Sequence, residues 1–150
     1  DIAPSPDDRP EAVLADGSTL ACDASGPTSA FIFKTMSEPQ VGMISYFKVY
    51  SGTLNSGDDL VNVKNRGSER LNQIFVSEGK NRSNVDQLVA GDIGSTVKLK
   101  NSHTNNTLNS KGFDKSIEEI QYPTPKIRVA VVPPGKNKIG KLIKALHQFE

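Results

Sequence analysis

The chain has 150 residues, 35% of them hydrophobic and 23% charged, with net charge +1 and mean hydropathy −0.42, enough for one domain with a core and part of a second. No apolar run approaches the roughly 18 residues of a membrane-crossing helix, and the single Cys22 excludes an internal disulfide and any metal-ligand spacing. Six acids oppose Arg9 in residues 1–30, ten Lys/Arg oppose seven acids in 31–113, and seven oppose four in 114–150, which excludes a strongly basic nucleic-acid binder but allows RNA contact at a few points.

Residues 1–27, rich in Pro, Asp, Ser and Gly, read as an acidic lead-in or linker with one short extended piece around Ala12–Ala21. The start, Asp1-Ile2-Ala3-Pro4, has neither the basic nor the apolar region of an export signal and no initiator Met, so an excerpt of a longer intracellular protein is expected. From Ser29 the character changes. Ala30–Lys34 is a short apolar run, and Met43–Tyr50 the clearest strand, with Met43, Ser45, Phe47 and Val49 on one face and Ile44, Tyr46, Lys48 and Tyr50 on the other. Large apolar groups on both faces predict a strand covered on both sides for part of its length.

Ser51-Gly52 and Ser56-Gly57 tolerate positive φ and turn the chain into a strand at Asp59–Lys64. Asn65–Ser68 is predicted as a hairpin turn, Glu69–Val76 as the next strand, and Glu78–Asn84 as a polar loop. Val85–Val89 leads to the Ala90-Gly91-Asp92 turn and a strand at Ile93–Leu99; His103–Asn109 reads as a polar loop, and Lys111-Gly112 closes the section. Short strands at regular spacing with glycine turns predict a small closed sheet or sandwich for residues 28–113.

Tyr122-Pro123-Thr124-Pro125 marks a boundary, Ile127–Val132 a predicted strand, and Pro133-Pro134-Gly135 its end. Ile139, Leu142, Ile143, Leu146 and Phe149 then recur at helical spacing, with Lys136, Lys138, Lys141 and Lys144 largely opposite and Asn137 as N-cap. A strand and a helix make no core, so residues 114–150 are expected to open an incomplete α+β domain.

Several of these stretches, taken in order, carry a resemblance. Phe33-Lys34-Thr35-Met36, Val41-Gly42, Phe47–Leu54 and Gly57-Asp58, then Glu69-Arg70-Leu71, the Asn81-Arg82 loop, Ala90–Ile93 and Val97–Lys100, resemble domain II of translational GTPases, elongation factor G in particular. The likeness covers about residues 28–149, and the final strand and helix resemble the start of domain III. Met43 stands where the family usually has Lys or Arg, and Ile74–Glu78 replaces a stretch containing Met-His, which points to a divergent elongation-factor-G-like paralogue. A ribosomal protection protein is a more distant match in its turn sequences.

The resemblance implies a closed β-barrel of the translation-factor domain II type. It implies a cytoplasmic parent that uses GTP and Mg in a separate G domain to drive translocation, with domain II bracing the G domain and resting on small-subunit ribosomal RNA. No cofactor is expected in this chain itself. A P-loop needs Gly-x-x-x-x-Gly-Lys-Ser/Thr; Gly135-Lys136 is followed by Asn137 and lacks the upstream glycine, while Asn137-Lys138-Ile139-Gly140 puts Gly140 where the guanine-reading carboxylate belongs. This chain is therefore not expected to hydrolyse GTP.

The candidate RNA-contacting residues are Lys64 and Arg66 at a hairpin tip, Arg70 beside it, and Lys80 and Arg82 in the next loop. The plainer reading makes them solvated surface charges. His103, His147 and Cys22 have no nucleophile, base or carboxylate at readable spacing, so a small hydrolase built on them is the weakest alternative. Asp58-Asp59 and Glu118-Glu119 are adjacent pairs whose side chains diverge in extended chain. The other rival is a stand-alone protein-interaction barrel.

Overall fold

The computed structural model describes residues 4–79, 81–133, 135 and 138–146, except for the side chains of Asp7 and Lys144. The chain divides into two compact units, Asp1–Ile120 and Gln121–Glu150. In the first, a 3-10 turn at Pro6–Asp8 precedes twelve strands: β1 (Ala12–Val13), β2 (Thr19–Leu20), β3 (Ser29–Glu38), β4 (Gly42–Ser51), β5 (Thr53–Asn55), β6 (Asp59–Asn62), β7 (Ser68–Arg70), β8 (Ile74–Glu78), β9 (Asn81–Val85), β10 (Gln87–Val89), β11 (Ile93–Val97) and β12 (Asn106–Asn109).

Eight of the strands form one antiparallel sheet in the order β7-β6-β12-β3-β4-β11-β8-β9. Chain connectivity forces this sheet to roll. Laid flat, β7 and β8 would stand about 29 Å apart at ~4.8 Å per strand. Only Leu71, Asn72 and Gln73 join them, a span of about 14 Å at most from Arg70 to Ile74. The roll gathers Ala30 and Ile32 of β3, Phe47 and Val49 of β4, Leu54, Leu60, Leu71, Ile74, Leu88 and Leu108 into a single buried cluster.

The roll is not a closed barrel, contrary to the sequence expectation. Among the described residues no ladder joins β7 to β9, and β5 pairs with β10 in a ladder of its own. Gly52 separates β5 from β4. Its positive φ of 76° ends β4 and turns the next residues away from the β4 line, and its N–H donates to Asp23 O instead of to a sheet neighbour. Leu54 still points into the common core.

The predicted long strand does span β4, and both its faces are covered. A bulge in β3 leaves Phe33 without a partner between the pairs Ile32–Phe47 and Lys34–Tyr46. Phe47 and Val49 face the main core, while Phe31, Phe33 and Tyr50 face a second cluster with Leu14, Leu20, Phe113 and Ile117. That second layer comes from the segment expected to be a linker. β1 and β2 form a small hairpin, and Leu14 bridges antiparallel to Ile117. The compact unit accordingly extends through Ile120, beyond the boundary expected at 113.

Other expectations need correction. Glu69–Val76 is two strands on different parts of the sheet, separated at Leu71–Gln73. The polar loop at 78–84 contains the end of β8 and most of β9, paired from Ile74–Val85 to Glu78–Asn81; a sheet edge tolerates polar residues because one side remains in water. The loop at 103–109 contains β12, a central strand whose Asn and Thr side chains are buried and hydrogen-bonded. In the second unit, residues 127–132 form no strand. A lone extended segment has no ladder partner, and Ile127 and Val132 are 81% and 82% exposed. The helix forms as α1 (Ile139–Leu146), with Ile139, Ile143 and Leu146 exposed; Asn137, His147 and Phe149 lie outside the described residues. No described helix is long and apolar enough to cross a membrane.

Candidate nucleic-acid interface

The turn between β6 and β7 is built by asparagines. Asn62 is fully buried, and its Oδ1 accepts from the Lys64 N–H at 2.9 Å. Its Nδ2 donates to Ser102 Oγ and Asn106 Oδ1, both at 2.9 Å. Asn65 Oδ1 accepts from the Gly67 N–H at 2.8 Å, and Asn65 Nδ2 donates to Asn101 O at 2.8 Å. The Arg66 N–H donates to Asn62 O at 2.8 Å with Arg66 in the left-handed region, φ 59°. These bonds fix the backbone from which Lys64 and Arg66 project. The side chains are exposed and their origins are held.

Every described candidate cation meets a carboxylate. Lys64 Nζ lies 3.0 Å from Glu119, Arg66 Nη1 2.8 Å from Asp114, and Arg70 Nη1 3.5 Å from Asp59, its register partner across β6–β7. Arg82 on β9 pairs with Glu38 at the end of β3, and this bond raises the guanidinium pKa above its already high ordinary value. Lys80 lies outside the described residues. The structure thus brings Lys64 and Arg66 together on one turn, sets Arg70 on the adjoining strand, and places Arg82 on the strand at the other end of the sheet order. The Lys64, Arg66 and Arg70 pairs are exposed and contribute only about 0–1 kcal/mol each, so they hold those cations loosely, whereas Arg82 and Glu38 are partly buried.

Sequence reasoning misses the acids that answer these cations. Asp114 and Glu119 belong to residues 113–120, an extended strap crossing the second cluster. A third pair, Lys115 Nζ to Asp16 at 3.1 Å, ties the strap to the β1–β2 turn. Ser18 hydrogen bonds, first through its hydroxyl and then through its N–H, together with Lys115, lower the Asp16 pKa to about 2. Also missed is Glu69, 2% exposed, which accepts from Lys100 N–H, Asn101 N–H and Ser102 Oγ and so fixes the loop behind the tip. Its only sequence signal is the clustering of Asn and Ser at 101–106, which can satisfy a buried carboxylate and one another.

His103 is exposed; Cys22 lines a cavity of about 30 Å³ with Pro6, Arg9, Lys48 and Tyr50, room for about one water. Asp58 Oδ2 accepts from the Asn55 N–H while Asp59 turns to Arg70. Among the described residues no three of His, Cys, Asp and Glu are grouped to hold a metal.

Residues 27–111 match the family described as elongation factor G domain 2. The chain belongs to that family. It is 35% identical over 153 aligned residues to elongation factor G of Petrotoga mobilis, an alignment covering 98% of this chain and 22% of that protein. A crystal structure of a Thermus thermophilus protein superposes with a TM-score of 0.71 at 28% identity, covering 82% of this chain and 19% of that one. The chain therefore spans about a fifth of the length of these relatives. The matched segment contains β3 to β12 and all of the candidate cations, while the β1–β2 hairpin and the strap lie outside it.

Proposed function

We propose that this chain is the non-catalytic domain II platform of an elongation-factor-G-like translation factor. In the whole factor it braces the G domain, which binds GTP and Mg, and docks on small-subunit ribosomal RNA while GTP drives translocation in the cytoplasm. The observation that carries the docking half is the β6–β7 turn, where Lys64 and Arg66 project from a backbone locked by Asn62 and Asn65. Family membership supports the setting, and the turn supplies the chemistry. Guanidinium and ammonium groups on a rigid tip suit phosphate oxygens and read no base sequence. Arg70 adds charge on the same flank, and Lys80 and Arg82 form a second candidate contact.

Tethered-probe footprinting tests this reading. A hydroxyl-radical source attached at Ser68→Cys, exposed beside the tip, in a Cys22→Ser background, is expected to cleave small-subunit RNA at one localised site. Diffuse cleavage matching that of untethered reagent would remove the docking role.

A further inference from the structure

The acids facing Lys64 and Arg66 are not scattered surface partners. Both belong to the strap, the stretch through which the first unit leads into residue 121. The first half of the strap is held by Asn109 Nδ2, which donates to Phe113 O and Lys115 O, and by the Ala15 N–H, which donates to Ser116 O; beyond Ile117 its backbone bonds are fewer. Glu118 N–H donates to Val13 O at 3.0 Å, and Ile120 N–H to Asn105 Oδ1 at 3.0 Å, with Asn105 Nδ2 returning to Ile120 O. Ile117 is its one buried apolar anchor beyond Phe113, and its N–H donates to Thr107 Oγ1. Ion pairs at Asp114, Lys115 and Glu119 lace the rest.

We propose that the strap is an electrostatic latch sharing its two cations with an RNA backbone, so that phosphate capture by Lys64 and Arg66 and full docking of the strap exclude each other. The inference rests on the RNA-docking reading above and adds a consequence to it. A guanidinium or ammonium group donates to a carboxylate or to a phosphate through the same N–H groups and cannot serve both fully. The competition is close because each exposed carboxylate pair is weak, while several phosphates along one strand act together. Lys115–Asp16 uses the strap's own cation, so it survives the exchange and keeps the strap's start tied to the β1–β2 turn while its far end loosens.

The test uses the full chain and a short A-form RNA duplex. Hydrogen exchange at the Glu118 and Ile120 amides reports the strap, and a binding titration reports the cations. Without RNA, Lys64→Gln with Arg66→Gln is expected to speed exchange at both amides. Adding RNA to the parent chain is expected to do the same. Asp114→Asn with Glu119→Gln, both at exposed positions, is expected to tighten RNA binding roughly three- to tenfold by removing the competitors. If RNA binds but exchange is unchanged and the Asp114/Glu119 variant binds no tighter, the latch is overturned and the docking reading survives. Unaltered exchange in the Lys64/Arg66 variant likewise overturns the latch. If RNA binds neither protein, both readings fall.

Discussion

Two glycines show how little room the roll leaves. At Gly52, φ is 76° and an added Cβ would lie 2.5 Å from Thr28 Cα and 2.6 Å from Thr28 N, a clash with backbone that cannot rotate away. At Gly94 the φ is ordinary, and the added methyl would meet the end of the Leu88 side chain and, at 3.1 Å, the Phe47 ring. Gly94→Ala is therefore expected to cost about 1–3 kcal/mol of overpacking. Gly52→Ala adds left-handed strain of about 1–2 kcal/mol to a less yielding clash and is expected to be the more damaging. Urea denaturation of the two variants checks the order; equal or reversed losses would contradict it. Asp16 gives a pH signature. Its carboxyl is held at about 2 against an ordinary 3.8. A lowered acid pKa stabilises the fold above the ordinary value and loses that contribution as pH falls toward the folded one. The stability gap between the parent and Asp16→Asn is expected to be full at about pH 5, to shrink as pH falls toward 2 and to vanish only below about pH 2, as read by denaturation at each pH. A gap independent of pH would contradict the assignment.

Among the elements, legibility follows side-chain chemistry. β4 is plain in the sequence because Phe47 and Val49 alternate with Lys48 and Tyr50 between turn residues. The glycine turns around it are legible as corners. β12 is opaque because its sequence, Asn-Thr-Leu-Asn, has one apolar residue, and its polar side chains are satisfied by partners outside the strand: Asn106 by Asn62, 44 residues away, and Asn109 by the Phe113 and Lys115 carbonyls. The β1–β2 hairpin is hidden for a related reason. Its strands have two residues each and gain stability from Leu14 meeting Phe31 and Ile117, contacts that no local pattern encodes. Of the candidate site, the cations and the hairpin tip are legible; their carboxylate partners on the strap are not, because they lie about 50 residues away in sequence. Glu69 is another long-range polar device. Glu69→Gln replaces an acceptor of three hydrogen bonds by a group that must turn a donor toward some of them. A loss of about 1–3 kcal/mol is expected, with faster exchange at the Lys100 and Asn101 amides. Unchanged exchange there would show that the loop is held by other means.

At the scale of the molecule, the chain is a rolled sheet followed by a second unit whose described residues form one helix, α1, and no strand. Residues 121–132 are exposed without exception, and Lys126 and Arg128 lie among them. Brief trypsin treatment is expected to cut there first, and the remaining fragment to melt at the same temperature as the intact chain; a lowered midpoint would mean that the second unit supports the first. The rolled sheet carries Lys64 and Arg66 on a turn whose backbone is held by Asn62 and Asn65, the feature on which the proposed docking role rests. The most direct test of that role is the dissociation constant of this chain for isolated small ribosomal subunits, measured across a salt series for the parent and for Lys64→Ala with Arg66→Ala. Affinity is expected to fall steeply with salt in the parent, and to be weaker with a shallower slope in the variant. Binding of equal strength and equal salt dependence in both proteins, or no binding by the parent at low salt, would contradict it.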